Sequence, residues 1–253
     1  MSGATFICLY LYFFQRNLIF ESKAEVTAAE YSFESKKMIS AGIPNSVIFS
    51  YDASSANDED IIYIQQSWDQ KLRDRVNKNE HIHTTIYYHP GYFLAKLVVN
   101  DRVVKEHPIY IQTDGWMAAA EQPDIPVYFT KEDIFIDGVM ALPLDKLLSS
   151  SIPLQPETPW IGFYNMRNFG DLKSDNFILE TELKNEFSEG SGVCQYSEIH
   201  LRLEGGLFML PLSIKGCVSG LQLFDASGAK ADPSHLGVNF EDWVNVRIEV
   251  KDG

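Results

Sequence analysis

Cysteine is scarce in this chain: its 253 residues include three, Cys8, Cys194 and Cys217. There is no CxxC and no zinc-ligand spacing, which excludes a zinc ribbon and a disulfide-dense miniature scaffold. Basic charge is also short. Twenty-one Lys and Arg stand against 35 Asp and Glu, a net charge of −14, and no Lys/Arg stripe breaks the acidity. A phosphate backbone is repelled by such a surface, so nucleic acid is excluded as a partner. Also missing are GxGxxG, a Walker loop, a GxSxG elbow and HExxH, and Gly205-Gly206 runs into the apolar Leu207-Phe208-Met209-Leu210-Pro211 instead of a helix start. Nucleotide and serine-hydrolase chemistry are set aside, and no cofactor is expected.

Long apolar runs are lacking too, with one short exception. Gly3 to Phe14 carries no charge before Gln15, Arg16 and Asn17 interrupt it. Twelve helical residues cover about 18 Å, less than a hydrocarbon core about 30 Å thick. No basic residue precedes the run and bulky side chains fill it, unlike a secretory signal. The expectation is a partial transmembrane anchor over residues 1–22 whose first turns are missing. A buried or interfacial apolar segment and a divergent signal peptide are the alternatives. Arg16 and Lys23 follow the run, so charge does not fix the orientation.

What the chain does have is hydrophobic mass, 45% of residues, and a length that suits about two domains. Residues 21–119 hold 14 acids and 10 bases, residues 120–253 hold 21 acids and 10 bases, so the acidity belongs mostly to the second half. Both halves show period-two patterning broken by Asn, Asp, Gly and Pro clusters, the mark of an all-β protein. The clearest early pair runs from His83 to Tyr88, turns at His89-Pro90-Gly91, and continues from Tyr92 to Val99 before Asn100-Asp101. Pro presets φ and Gly supplies a positive φ at such a corner.

Pro44 through Tyr51-Asp52-Ala53-Ser54, Trp68-Asp69, and His83-x-x-x-x-Tyr88-x-Pro90-Gly91-Tyr92-Phe93-Leu94-Ala95-Lys96-Leu97 form a set of features over residues 32–115. In these the chain resembles the PKD (polycystic kidney disease) domain, an immunoglobulin-like β-sandwich. The family's Phe-Gly-Asp-Gly turn is replaced here by Gln70-Lys71-Leu72-Arg73. With Gln65-Gln66-Ser67-Trp68-Asp69 and Thr113-Asp114-Gly115-Trp116, the cast is similar to membrane-anchored PKD-domain proteins of the Bacteroidetes type. His81, His83, His89 and His107 invite a metal reading, because His-x-His places two imidazoles on one strand face. No cysteine or placed carboxylate completes a ligand set, and no metal site is expected.

In the second half Phe177, Leu179, Thr181 and Leu183 alternate with Ile178, Glu180, Glu182 and Lys184. Val244, Val246, Ile248 and Val250 alternate with Trp243, Asn245, Arg247 and Glu249. A third alternation covers Val193 to Glu204. Each strand has one apolar and one charged face, as in half-buried antiparallel strands. Leu147 to Pro159, with three Ser and three Pro, reads as an exposed loop. Over residues 120–253 the order Asp175-Asn176-Phe177-x-Leu179-Glu180-x-Glu182-Leu183, Gly190-Ser191-Gly192-Val193 and residues 242–253 resembles concanavalin A-like, laminin-G-like jelly rolls. In those domains the closing Lys-Asp-Gly leads to another strand, which implies a C-terminally truncated module. The fold expected is therefore an immunoglobulin-like (PKD) sandwich followed by a concanavalin A-like jelly roll.

That resemblance implies a cell-surface protein, tethered through its N-terminal segment with its soluble part extracytoplasmic, binding a glycan or surface protein. The candidate ligand-binding residues are Glu198, His200 and Arg202, at period two on one strand face, with Trp243 as a stacking face. Arg offers a fork of donors and Glu two acceptors, which suits sugar hydroxyls. A solvated outer face is the ordinary alternative. A glycan-cleaving hydrolase is the rival function, since related jelly rolls include glycosidases. Their Glu-x-Asp-x-x-Glu strand is absent, and Glu198 and Glu204 lie about 20 Å apart along a strand, too far to act as a catalytic pair. No catalytic residue is assigned. Cys194 and Cys217 are the candidate disulfide, conditional on an oxidising compartment and suitable Cα spacing.

Overall fold

The computed structural model describes residues 31–251 except 171, 174, 204–205 and 225–227. The expected anchor, residues 1–22, lies outside the described residues. No helix among the described residues is long and apolar enough to cross a membrane. The fold is all-β, built of antiparallel sheets, and the chain divides into two compact units.

The first unit comprises residues 31–150 and 160–168 of the described chain. It opens with β1 (Ser32–Lys37), β2 (Asn45–Asp52), β3 (Ile62–Gln65), β4 (Arg73–Val76), β5 (Ile82–Tyr87), β6 (Gly91–Val99) and β7 (Arg102–Ile111). These form two sheets, ordered β1-β2-β5 and β4-β3-β6-β7. Strand β2 shows why they face each other: Asn45, Val47, Phe49 and Tyr51 are buried while Ser46, Ile48, Ser50 and Asp52 are not. With Phe33, the side chains of Val47, Phe49 and Tyr51 meet Ile62, Ile64, Ala95, Leu97, Ile109 and Ile111 of the opposite sheet in one core. Phe33 and Phe49 stack at 4.9 Å between centroids. Each large apolar side chain buried this way contributes about 1.5–3 kcal/mol.

Polar bonds close both edges of this sandwich. On one side His83 Nε2 donates to Asp74 Oδ2 at 2.9 Å, Gln66 Nε2 to Thr85 Oγ1 at 2.5 Å, and the Tyr87 hydroxyl to the Gln66 carbonyl at 3.0 Å. On the other, Lys37 Nζ reaches the Tyr110 carbonyl at 2.7 Å. The Asn100-Asp101 turn between β6 and β7 takes positive φ at both residues, +47° and +61°, the hairpin geometry that matches strand twist. Gly91 opens β6 at φ +155°.

The unit continues with β8 (Met117–Ala120), β9 (Val127–Phe129), the helix α1 (Lys131–Ile134), the short hairpin β10 (Phe135–Ile136) and β11 (Val139–Met140), the helix α2 (Leu144–Ser149), and β12 (Ile161–Tyr164). A third sheet has the order β12-β8-β9. Its central Ala118, Ala119 and Ala120 are fully buried. The sequence stretch from residue 120 to 150 thus packs with the first unit. Within it, Lys131–Ile134 forms a single helical turn that buries Ile134. The Thr130 amide donates to Asp133 Oδ2 at 2.8 Å, and Lys146 binds the other oxygen of Asp133 at 2.6 Å. Lys146 and these bonds hold the Asp133 carboxyl below its ordinary range. The loop expected from Leu147 starts later, because α2 runs to Ser149 and buries Leu147.

The second unit comprises residues 151–159 and 169–251. Its strands are β13 (Phe177–Leu183), β14 (Ser197–Leu203), β15 (Gly206–Ile214), β16 (Leu223–Phe224), β17 (Lys230–Ala231), β18 (Gly237–Val238) and β19 (Val244–Val250). Strand β13 pairs antiparallel with β19, β14 with β15 and β16 with β17, while β18 joins β15 in parallel. The register Phe177↔Val250, Leu179↔Ile248, Thr181↔Val246 and Leu183↔Val244 puts these eight residues on one face. Arg247 pairs with Glu180 and Glu249 on the other. Leu183, Val244 and Val246 pack with Leu210 and Ile214 around Leu212, Leu221, Leu236 and Phe240.

Candidate functional site

The hairpin β14–β15 carries the predicted stripe. Pairing places Glu198 opposite Pro211, His200 opposite Met209 and Arg202 opposite Leu207, all on one face. The other face holds Leu210 and Leu212, which join the core cluster. Alternation therefore turns the stripe away from that core. His200 Nε2 donates to Glu198 Oε2 at 2.9 Å, with the carboxylate side chain 19% exposed and the imidazole 43%. Arg202 is exposed two residues further on. One strand face thus offers a fixed acceptor–donor pair and a guanidinium fork in a row.

Both ends of this hairpin are tied together. Cys194, just before β14, forms a disulfide with Cys217, in the 3₁₀ turn Lys215–Gly220 just after β15, at a Cα separation of 5.6 Å. The Ile214 amide also donates to the Cys194 carbonyl at 3.2 Å. The alternation read from Val193 does not reach back that far: Gln195 sits at φ +48°, which breaks an extended strand, and β14 begins at Ser197. Tyr196 consequently joins the core cluster, and its hydroxyl fills the space a Cβ on Gly220 would need.

Trp243 lies elsewhere. It precedes β19, one residue beyond the pair Leu183↔Val244, and is 48% exposed. Among the described residues no hydrogen bond, ion pair or ring contact ties it to Glu198, His200 or Arg202. The structure brings Glu198 and His200 together and holds Trp243 on a different strand pair.

The histidines of the first unit go to separate partners. His83 bonds Asp74, His81 Nδ1 lies 3.3 Å from the Tyr51 carbonyl, and His107 sets its edge on Phe33. His89 Nε2 lies 3.0 Å from both Glu121 oxygens. Among the described residues no group of three or more His, Cys, Asp or Glu is placed to hold a metal ion. Sequence reasoning passed over the Glu121 partner of His89, since the two are 32 positions apart and no pattern links them.

Compared with family models, with curated proteins and with solved structures, the chain matches none.

Proposed function

We propose that this chain is a non-catalytic, membrane-tethered binding protein of the extracytoplasmic side. In this reading a PKD-like sandwich serves as spacer and a concanavalin A-like second module presents the β14 face to a glycan or surface protein. The observation that carries it is the Glu198–His200 bond at 2.9 Å beside exposed Arg202, on a hairpin closed by a disulfide. A sugar hydroxyl donates to a carboxylate and accepts from a guanidinium, so the row matches its two functions. The Cys194–Cys217 bond supports an oxidising compartment, where such bonds persist.

The test is a saccharide-binding screen of the full chain combined with product analysis. Saturable binding without new reducing ends is expected, and Arg202→Ala should weaken it by about 1.5–3 kcal/mol, the range for a lost hydrogen bond to a charged group. Turnover would move the protein to the glycan-cleaving class. Undiminished binding by a folded Arg202→Ala chain would remove the β14 face from the site.

A further inference from the structure

The third sheet of the first unit has an aromatic face that the reading above does not use. The Glu121 amide donates to the Trp160 carbonyl at 2.9 Å, extending the β8–β12 register (Ile161↔Ala120, Gly162↔Ala119, Tyr164↔Met117) by one pair. Cross-strand partners share a face, so Trp160, Gly162 and Tyr164 lie on the side of Glu121 and Ala119. Tyr128, opposite Ala119 on β9, completes that side.

Glycine at 162 is what shapes it. The Tyr164 ring occupies the space a Cβ on Gly162 would need, so the ring folds back along β12 over the bare backbone. Residues 160 and 164 alone would stand about 13 Å apart, but a ring seated over position 162 comes to about 7 Å from position 160. Trp160 is 39% exposed. Alongside, the β5–β6 turn supplies polar groups. His89 Nε2 donates to Glu121 at 3.0 Å, and their side chains remain 42% and 37% exposed. The Tyr128 hydroxyl donates to the Tyr88 carbonyl at 2.9 Å. Burial, with Tyr88 and Glu121 nearby, pushes that phenol up to about 12. It therefore stays a neutral donor beside the carboxylate.

We propose that this face is a saccharide-binding site, in which a pyranose ring stacks on Trp160 and Tyr164 while its hydroxyls bond Glu121 and His89. A pyranose with equatorial hydroxyls has one flat face of axial C–H groups, which packs on an aromatic ring, and a rim of hydroxyls that both donate and accept. An indole and a phenol lying along one strand, with a carboxylate–imidazole pair at their side, present complements to both. This is the pattern of a ligand site in which apolar area binds and a few convergent polar groups orient. The site stands on residues of a different unit from the β14 face and does not depend on it.

The test uses the full chain with cellohexaose, xylohexaose and laminarihexaose as probes, read by isothermal titration and by the tryptophan indole N–H resonances, with Trp160→Ala assigning the Trp160 signal. Binding of at least one hexaose with a shift of the Trp160 resonance is expected. Trp160→Ala should weaken that binding by about tenfold, Trp160→Phe by less because a ring remains, and Glu121→Gln by about fivefold. Amide spectra of each variant establish that it is folded, and Glu121→Gln serves where Trp160→Ala is not. Binding of none of the three hexaoses overturns the proposal. Binding that leaves the Trp160 resonance unmoved also overturns it, while leaving the β14 reading standing.

Discussion

In the first unit Phe33, Val47, Phe49, Tyr51, Ile62, Ile64, Tyr87, Leu97, Ile109 and Ile111 form one buried cluster drawn from both sheets of a sandwich. In the second unit, among the described residues, Leu212, Leu221, Leu236 and Phe240 form a smaller buried cluster surrounded by half-buried neighbours, Ile152, Phe177 and Ile248 are buried outside it, and a disulfide spans the hairpin beside it. The contrast follows from strand length and pairing. Strands β2 and β6 bury alternating faces against a facing sheet and β7 buries Ile109 and Ile111 at its end, whereas β16, β17 and β18 have two residues each and present little surface to bury. A core with little area leaves a domain marginal, and a covalent cross-link is the usual supplement. The comparison teaches that the first unit is held by burial and the second by burial plus a constraint on its unfolded chain.

The sharpest way to break that comparison is Phe49→Ala. Phe49 is fully buried and stacked on Phe33. Truncation removes its transfer free energy and leaves a cavity between close-packed sheets, at a cost of about 3–5 kcal/mol. Hydrogen exchange read by peptide mass should show β1 to β7 losing protection while β13 to β19 keep theirs. Equal loss in both units would mean that they share one cooperative core.

Next in size is the disulfide. Cys194 and Cys217 are 23 residues apart, and opening a loop of that length releases about 3 kcal/mol of unfolded-state entropy in the chain-entropy model. The double variant Cys194→Ser/Cys217→Ser should therefore lower the denaturation midpoint of the second unit and leave that of the first in place. A second unit indifferent to the variant would show that its small core suffices.

How much of this was legible depended on whether a segment's own pattern decided its place. Strands β13 and β19 were readable because their alternation runs over seven residues and puts Phe177, Leu179, Leu183, Val244, Val246, Ile248 and Val250 on one face, with Ile178 the apolar exception on the other. Strand β14 was readable only from Ser197, because nothing in Val193-Cys194-Gln195 announces a positive φ at Gln195. Helix α2 was hidden by Ser149-Ser150-Ser151, which read as loop although Leu147 turns into the interior. For the candidate sites, the Glu198–His200 bond follows from period two on one strand. The His89–Glu121 pair and the ring of Tyr164 over Gly162 do not, since they depend on which turn meets which sheet and on a glycine that sequence reads as a weak strand residue.

The smallest expected effect concerns three tyrosine hydroxyls of the first unit. Tyr51 donates to the Asn77 carbonyl at 2.7 Å, Tyr87 to that of Gln66 at 3.0 Å and Tyr128 to that of Tyr88 at 2.9 Å. Each bond needs the proton, and burial raises all three phenols, Tyr51 to about 12 with Glu80 adding to the shift, Tyr128 to about 12 and Tyr87 further still. In the unfolded chain a tyrosine ionises near pH 10. Between that value and the folded one the unfolded state has lost protons that the native state keeps, so stability is full below about pH 10 and falls as pH rises toward about 12. Tyr51→Phe removes one of these bonds and should cost about 1 kcal/mol at neutral pH. It should also make the decline above pH 10 shallower, because one group no longer titrates. Denaturant unfolding of the first unit at pH 8, 10 and 11 checks both. If the second unit shows the steeper alkaline decline, the division between a unit held by its buried interior and one held by its cross-link has been drawn in the wrong place.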